Sequence, residues 1–281
     1  MINPKPVVRS SRVQTWKRLA TIAFTTYMGA LGVLMFFERL LLFPAPPVQH
    51  GFWQADNFGA EEFFVPSADK TKVHVWSLLK TNANKTLIFC HGNGETLGVL
   101  GEELAEIRDN WDVNVVAFDF RGYGKTGGLA NESDILADAI AVGRWIESNE
   151  SFHGHQLIAL GRSLGGAAAI EIALHSKIDG LILDRTFSSI VDVAAERYPI
   201  FPIRLVMRNQ FCSIDKIPQC KCALLQMHGD VDEIVPYRFG RKLFDACTLD
   251  RKEFLTSHGL RHNDPWPNEF WMAGKKFIED L

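Results

Sequence analysis

The chain has 281 residues, 47% of them hydrophobic, which suffices for one large core and excludes a small disulfide-stabilised scaffold. Its formal net charge is −3, and residues 1–18 contain five basic side chains and no acidic one. The rest of the chain is mildly acidic and has no basic cluster. This distribution argues against nucleic acid as a partner.

The first predicted element is a membrane-spanning helix over residues 19–37, LATIAFTTYMGALGVLMFF, which contains no charged side chain. At about 1.5 Å per residue, such a helix crosses the ~30 Å hydrocarbon core of a bilayer. The alternatives are a buried core helix and a cleavable signal peptide. The segment lacks the polar face of a core helix, and no A-x-A cleavage site follows it. A single-pass anchor is therefore favoured.

The flanks of this segment predict its orientation. Residues 1–18 form a basic tail without an acidic residue, whereas Arg39 is the only base between residues 38 and 69. The positive-inside rule then places the amino terminus in the cytoplasm and the body on the non-cytoplasmic side. A proline-containing linker, residues 38–58, is expected to join the anchor to a single domain over residues 59–281.

Strand-like and helix-like segments alternate through that domain. EEFFVPS and KVHVWSLLK are predicted as early strands, the second with side chains alternating inward and outward. Continuous apolar runs then indicate strands buried on both faces, and most of them are followed by helical periodicity. The later predicted order is strand KTLIFCHG, helix 96–110, the segment VNVVAFDFRGYG as a strand with a glycine-rich turn, helix 133–147, strand 156–160, helix 164–175, strand DGLILD, irregular segment 187–221, strand CALLQMHG, helix 237–247, strand RKEFLTS and a helix from Pro265.

This alternation predicts an α/β fold with a mostly parallel, doubly wound sheet. In such sheets, ligands bind beyond the carboxyl ends of the strands. The polar residues that directly follow the apolar runs are therefore the candidate site residues: Gly92–Asn93, Asp119–Arg121, Ser163, Asp184–Arg185, Asp230–Asp232 and His258–His262.

Ser163 is the candidate nucleophile. It lies in the sequence Gly161-Arg162-Ser163-Leu164-Gly165, a G-x-S-x-G motif between a predicted strand and a predicted helix. The glycines suit a sharp turn in which larger side chains would collide with the backbone. The turn also places Ser163 at a helix amino terminus, where N–H groups favour a developing oxyanion. The alternative is a helix-capping serine.

A serine nucleophile needs a base and an acid that orients the base. His262 is the preferred base because Asp264 and Pro265 predict a helix start that holds its loop; His258 is the alternative. Asp232 is the preferred acid because it lies within the turn after a strand, whereas Asp230 is expected to bind the backbone of that turn. Glu233 and Asp184 are further candidates.

Two backbone N–H groups are expected to form an oxyanion hole: those of Leu164, which follows the nucleophile, and of Asn93, in the loop after LIFCHG. Gly92 and Gly94 allow this loop to approach a substrate closely.

The motifs HGNGE, DFRGYGKTGG, GRSLGG, HGDVDEIVP and RHND occur in this order. In order and interval they resemble the membrane-anchored α/β-hydrolase-fold serine hydrolases, over about residues 40–281. The resemblance implies the α/β-hydrolase fold, with Ser163 as nucleophile, Asp232 as acid and His262 as base. Departures from the family pattern include Thr126 for a serine, Leu260-Arg261 before the histidine, and Gly94-Glu95. None of them removes a catalytic atom.

The expected activity is hydrolysis of carboxylic esters or thioesters through an acyl-enzyme, on acyl lipids or other acylated substrates near the membrane. A peptidase or amidase on the same triad and a non-catalytic membrane-bound binding protein are the alternatives. Residues 187–221 are expected to form a small cap region that either covers the core or binds an acyl chain or the membrane at the entrance.

No cofactor or metal is expected. Cys220 and Cys222 have the spacing of metal ligands, but no second Cys or His pair at ligand spacing accompanies them. The five cysteines are an odd number, so free thiols are favoured over a disulfide framework. The sequence carries no signal for an oligomeric state.

Overall fold

A computed structural model describes the backbone of residues 9–281 and the side chains from residue 13 onward. It comprises an amino-terminal unit that ends at Leu42 and a second unit, the body, over Phe43–Leu281. The part of the expected basic tail that precedes residue 9 lies outside the described residues.

The amino-terminal unit is one helix, α1 (Arg9–Leu42), which is longer at both ends than the apolar segment 19–37. Within the described residues, it is the one helix long and apolar enough to cross a membrane. Two of its threonine hydroxyls donate to carbonyls of the preceding turn: Thr21 to Lys17 O at 2.9 Å and Thr25 to Ile22 O at 3.0 Å. These bonds satisfy the hydroxyl protons within the helix, as hydrocarbon surroundings require.

The body contains one eight-stranded sheet and eight helices among the described residues, with short 3-10 turns between them. Its elements are β1 (Ala60–Pro66), β2 (Lys72–Leu78), β3 (Lys85–Cys90), α2 (Leu97–Trp111), β4 (Asn114–Phe118), α3 (Glu132–Ser148), β5 (Gln156–Arg162), α4 (Gly165–His175), β6 (Gly180–Asp184), α5 (Ile190–Arg197), α6 (Ile203–Val206), α7 (Ser213–Lys216), β7 (Ala223–Gly229), α8 (Tyr237–Ala246), β8 (Lys252–Ser257) and α9 (Asn268–Glu279).

The strand order is β1-β2-β4-β3-β5-β6-β7-β8. β2 pairs antiparallel with both β1 and β4, and the other pairs are parallel. The prediction that β2 alternates inward and outward is wrong: its residues from Val73 to Leu78 are all buried. The reason is that both faces of β2 are covered: Trp76 and Leu78 belong to the hydrophobic cluster that includes α2, and Val73 and Val75 are fully buried on the other face.

Helices cover both faces of the sheet. α2 contacts α9, while α3 contacts α4, and α7 contacts α4 and α8. In β3, Leu87 and Phe89 belong to the hydrophobic cluster that includes α2 and α9, whereas Ile88 between them does not. This alternation is what a strand buried on two faces requires.

The first residue of the body is tightly packed. Phe43 is buried, and its ring lies 6.2 Å from that of Phe211, which is also buried. Phe211 belongs to the segment 187–221, which carries the short helices α5, α6 and α7. The body therefore begins in contact with the segment predicted to be a cap.

β4 ends at Phe118, directly before Asp119–Arg121, as expected for residues that follow an apolar run. One predicted boundary differs from the structure. The last helix begins at Asn268 rather than at Pro265, with Pro267 at its N-cap.

Candidate active site

Ser163 lies in a sharp turn between β5 and α4. Its φ of +50° is in the left-handed region, which is uncommon for a residue with a β-carbon. Two hydrogen bonds hold the turn: Ser163 N–H donates to Asp184 O at 2.8 Å, and Thr186 Oγ1 donates to Ser163 O at 2.7 Å. The main chain at the end of β6 and the side chain of Thr186 after it therefore support the strained residue.

The glycines that flank Ser163 are required sterically. A β-carbon at Gly161 would lie 2.3 Å from Gly165 O, and one at Gly165 would lie 2.0 Å from Cys90 O. Both neighbours are backbone atoms, which cannot move aside as a flexible side chain can. The close approach of this turn to the end of β3 thus depends on the G-x-S-x-G sequence.

The structure brings together the three residues predicted as nucleophile, acid and base. His262 Nε2 lies 3.0 Å from Ser163 Oγ, and its Nδ1 lies 2.8 Å from Asp232 Oδ2. His262 is 30 positions from Asp232 and 99 from Ser163 in sequence. A proton on Nδ1 would donate to the carboxylate and leave Nε2 free to accept the serine proton.

Asp232 is held on several sides. Its Oδ1 accepts the N–H groups of Ile234 at 3.0 Å and Val235 at 2.8 Å. Burial acts to raise the pKa of Asp232, but His228, His262 and the Val235 N–H hold it well below its ordinary value. The carboxylate is therefore charged at neutral pH and can balance an imidazolium.

His228 is a supporting residue that the sequence analysis missed. It is fully buried, its Nε2 lies 2.8 Å from Val235 O, and the same atom lies 3.3 Å from Asp232 Oδ2. Its position in HGDVDEIVP, four residues before Asp232, is the only sequence signal of this role. A β-carbon at Gly240 would lie 2.1 Å from its Nδ1, so α8 packs directly on the ring.

His258 and Asp230, which were considered as the alternative base and acid, pair with each other away from Ser163. His258 Nδ1 lies 2.8 Å from Asp230 Oδ2, and the side chain of His258 is 85% exposed. Asp230 also accepts the Gly259 N–H at 2.8 Å; Gly259 follows β8, so this bond joins two turns, whereas Asp230 was expected to bind the backbone of its own turn. Neither residue contacts Ser163.

Asn93 and Leu164 flank the serine as predicted for an oxyanion hole. Asn93 lines the same cavity as Ser163, in a loop where Gly94 has a φ of +84°, and Tyr123 Oη donates to its side-chain oxygen at 2.5 Å. Leu164 is buried at the amino end of α4. Their assignment as oxyanion donors stays a prediction.

Asp119 and Arg121 follow an apolar run but lie away from the serine. Asp119 is fully buried, accepts the Leu97 N–H at 2.8 Å and lies 2.6 Å from His74 Nδ1. Arg121 donates two hydrogen bonds to Asp138, at 3.0 and 2.7 Å. These contacts stabilise the turn after β4 and tie it to β2, α2 and α3.

A cavity of about 530 Å³ opens at the serine. Its walls come from the loop 92–95, from α2, from the Ser163 turn and from residues 262–271, and none of its lining residues belongs to the segment 187–221. Trp266 and Trp271 give it aromatic surface, and Glu102 and Glu106 stand on the α2 side. The cavity is large enough for a small organic substrate.

Cys90, Cys212, Cys220, Cys222 and Cys247 are free thiols in the structure. Among the described residues, no group of three or more His, Cys, Asp or Glu side chains has an arrangement that could hold a metal ion.

Comparison with known proteins identifies the class. The family model described as serine aminopeptidase, S33, matches residues 81–208. The Pyrococcus furiosus esterase Pf2001 superposes with a TM-score of 0.69 at 18% identity, covering 84% of this chain and 97% of that one. Est1E from Butyrivibrio proteoclasticus, in its ferulic acid complex, gives a TM-score of 0.63 at 18% identity, covering 77% and 98%. The chain has the α/β-hydrolase fold, and the predicted fold class is confirmed.

Curated relatives extend the likeness along the chain. An uncharacterised Mycobacterium tuberculosis protein is 29% identical over 84% of this chain and 85% of its own length. Protein bem46 of Schizosaccharomyces pombe is 27% identical over 90% and 88%. An uncharacterised membrane protein of Saccharomyces cerevisiae is 28% identical over 86% and 88%. These matches confirm the resemblance found in the motifs: the protein is a hydrolase of the α/β fold, and its apolar amino-terminal helix and yeast relative indicate membrane anchoring.

Proposed function

We propose that the protein is a serine hydrolase that cleaves carboxylic esters or thioesters through an acyl-enzyme. The observation that carries this proposal is the placement of His262 between Ser163 and Asp232, at 3.0 and 2.8 Å. A serine hydroxyl becomes an effective nucleophile when a base takes its proton and an acid orients that base.

In the first half-reaction, Ser163 Oγ forms a bond to the acyl carbon as His262 Nε2 takes the hydroxyl proton. The N–H groups of Asn93 and Leu164 bind the tetrahedral oxyanion, and Asp232 balances the imidazolium charge. When the tetrahedral intermediate collapses, the alcohol or thiol leaves with the proton from His262. A water molecule then attacks the acyl-enzyme, gives its proton to His262, and releases the acid and free Ser163.

The amino-terminal helix supports a membrane-proximal substrate. In this proposal, residues 19–37 span the bilayer, the basic tail 1–18 is cytoplasmic, and the linker 38–58 leads to a catalytic domain over 59–281 on the other side. The small cap region is 187–221. A body joined by so short a linker meets acyl lipids and acylated proteins at a raised effective concentration.

A fluorophosphonate probe tests the chemistry. Wild-type protein should be labelled and should hydrolyse short-chain esters, whereas Ser163→Ala and His262→Ala should do neither. His258→Ala is the matched control, since this exposed histidine also pairs with an aspartate but lies away from the serine. Labelling of Ser163→Ala at the wild-type level would overturn the proposal. Absence of labelling in the wild type would favour a non-catalytic binding protein.

A peptidase or amidase activity is the second candidate, because the matching family model is described as serine aminopeptidase, S33. The triad and the fold leave the leaving group open. A panel of matched ester, thioester and amide substrates with one acyl group separates the two. Amide turnover that equals or exceeds ester turnover would assign the peptidase class.

Location is tested separately. The full-length protein should stay in the membrane fraction after carbonate treatment. A reporter fused after Leu281 should be active only outside the cytoplasm; activity inside the cytoplasm would reverse the orientation.

A further inference from the structure

Glu95 turns its carboxylate back onto its own loop. Its Oε2 accepts the Gly92 N–H at 2.5 Å, and its Oε1 accepts Arg162 Nη1 at 3.0 Å. Burial acts to raise the pKa of Glu95, but the Arg162 charge and the Gly92 N–H lower it below the ordinary value. Glu95 is therefore an anion that bonds on one side to the loop of Asn93 and on the other to the residue before Ser163.

Arg162 is surrounded by carboxylates. Its side chain is 12% exposed, its Nη1 donates to Glu103 Oε2 at 3.1 Å, and its Nε lies 3.3 Å from Asp184 Oδ2. The guanidinium also lies over the Trp266 ring, 5.0 Å from its centroid. A planar guanidinium with several fixed partners has little freedom to move, so it is a rigid support beside the nucleophile.

The same network continues to the loop of the predicted base. Asp184 accepts Trp266 Nε1 at 2.7 Å and Arg185 Nε at 2.8 Å. Arg185 Nη1 in turn donates to Asp264 O at 2.6 Å and to Arg261 O at 3.2 Å, and these two carbonyls flank His262. One chain of charged contacts thus joins the Asn93 loop, the Ser163 turn and the His262 loop.

We propose that Glu95 is a positioning residue that locks the Asn93 loop to the Ser163 turn, so that the Asn93 and Leu164 N–H groups converge on one oxyanion. This inference rests on the proposed function. Gly92 and Gly94 leave the backbone of this loop free to move, so an additional contact is needed to hold the loop in one position. Displacing a catalytic group by about 1 Å can cost ~10²-fold in rate, so loosening the loop should lower kcat.

The test compares Glu95→Ala, Glu95→Gln and the control Glu147→Ala. Glu147 Oε1 accepts the Lys177 N–H at 2.5 Å, so the control removes a similar carboxylate–amide bond far from the cleft. Glu95→Ala should lower kcat for an ester by about 10²-fold with little change in KM. Glu95→Gln keeps an oxygen that can accept from Gly92 but loses the charge, so its kcat should fall by about tenfold. Glu147→Ala should match the wild type.

Two further measurements separate positioning from general damage. Affinity for a trifluoromethyl ketone, whose adduct places an oxyanion in the hole, should fall in proportion to kcat/KM. Amide hydrogen exchange in the peptide containing Gly92 should accelerate in Glu95→Ala, while exchange in β5 and β6 stays at the wild-type rate.

The outcomes also separate this inference from the proposed function. Suppose that the wild type turns over esters and that Glu95→Ala has the wild-type kcat and ketone affinity. This result overturns the positioning role of Glu95 and leaves the proposed function intact. A raised KM at unchanged kcat would make Glu95 a substrate-binding residue and also overturns the positioning role. If the wild type is neither labelled nor active, the proposed function fails. In that case the hydrogen-exchange experiment still tests the role of Glu95: an unchanged exchange rate at Gly92 in Glu95→Ala would show that Glu95 does not hold the loop.

Discussion

The strained backbone at Ser163 predicts an unusual response to glycine. Ser163→Ala and Ser163→Gly both remove Oγ and its contact with His262, so their difference reports the backbone. At a φ of +50°, a β-carbon costs about 1–2 kcal/mol relative to the right-handed region, and glycine escapes this cost. Glycine also loses more freedom on folding, at a cost of about 1 kcal/mol. Ser163→Gly should therefore be more stable than Ser163→Ala by about 0–1 kcal/mol.

At a residue within an ordinary α-helix, replacing alanine by glycine should lower the stability instead. Ala195 lies within α5 and is partly exposed, so Ala195→Gly should cost about 1 kcal/mol. At roughly 2–4 °C per kcal/mol, this control should melt about 2–4 °C below the wild type, whereas Ser163→Gly should melt up to ~4 °C above Ser163→Ala.

Tryptophan fluorescence follows unfolding, since the chain has seven tryptophans. All four proteins are heated at one scan rate in one detergent. A Ser163→Gly variant that melts 2–4 °C below Ser163→Ala, as the helical control does below the wild type, would refute the strain argument.

Three other predictions concern charge. Asp232→Asn should stay folded, but its kcat for an ester should fall by roughly 10³–10⁴-fold, because an amide favours the wrong imidazole tautomer; steady-state kinetics against wild type measures this. Burial acts to raise the pKa of Asp184, but Arg185 and Arg162 hold it below the ordinary value of 3.8. The stability that the ionised carboxylate contributes is therefore present above pH 3.8 and is lost as the pH falls through the lowered pKa. The melting temperatures of wild type and Asp184→Asn should therefore differ most at neutral pH and converge in acid. Burial raises the pKa of Cys220 to about 12 and of Cys222 to about 11, and it also raises the pKa of Cys212. Cys212 is nevertheless half-buried whereas the other four thiols are buried, so at pH 8 it should be alkylated first, as peptide mass mapping would reveal.

The layered fold was predictable because its signals are local. Apolar runs such as LIFC in β3 have the length and continuity of a strand covered on both faces, and glycine and proline mark where they end. The position of β2 within the sheet was not predictable, because it depends on pairing with β4, about 40 residues away. Its burial on both faces depends on the layers that pack on this part of the sheet, which the pattern within the strand does not specify.

Some residues of the candidate site were likewise predictable from local sequence, and others were not. Ser163, Asp232 and His262 lie in short motifs at strand ends, so each could be named before its partners were known. The partners of Arg162 could not, because Glu95, Glu103 and Asp184 are 67, 59 and 22 positions away and belong to no common motif. Ionic contacts of this kind appear only when the chain has folded.

The packing of Phe43 has a practical consequence for work on the body, Phe43–Leu281. A β-carbon at Gly94 would lie 3.9 Å from Pro44 O, so the chain enters the body beside the loop of Asn93. A soluble form cut after the prolines of the linker would leave Phe211 without the ring that covers it, and burying a phenylalanine contributes about 1.5–3 kcal/mol. It would also remove Pro44, whose carbonyl oxygen lies beside Gly94. A truncation that begins at Phe43 retains both, which makes this residue the natural first residue for a truncated form of the body.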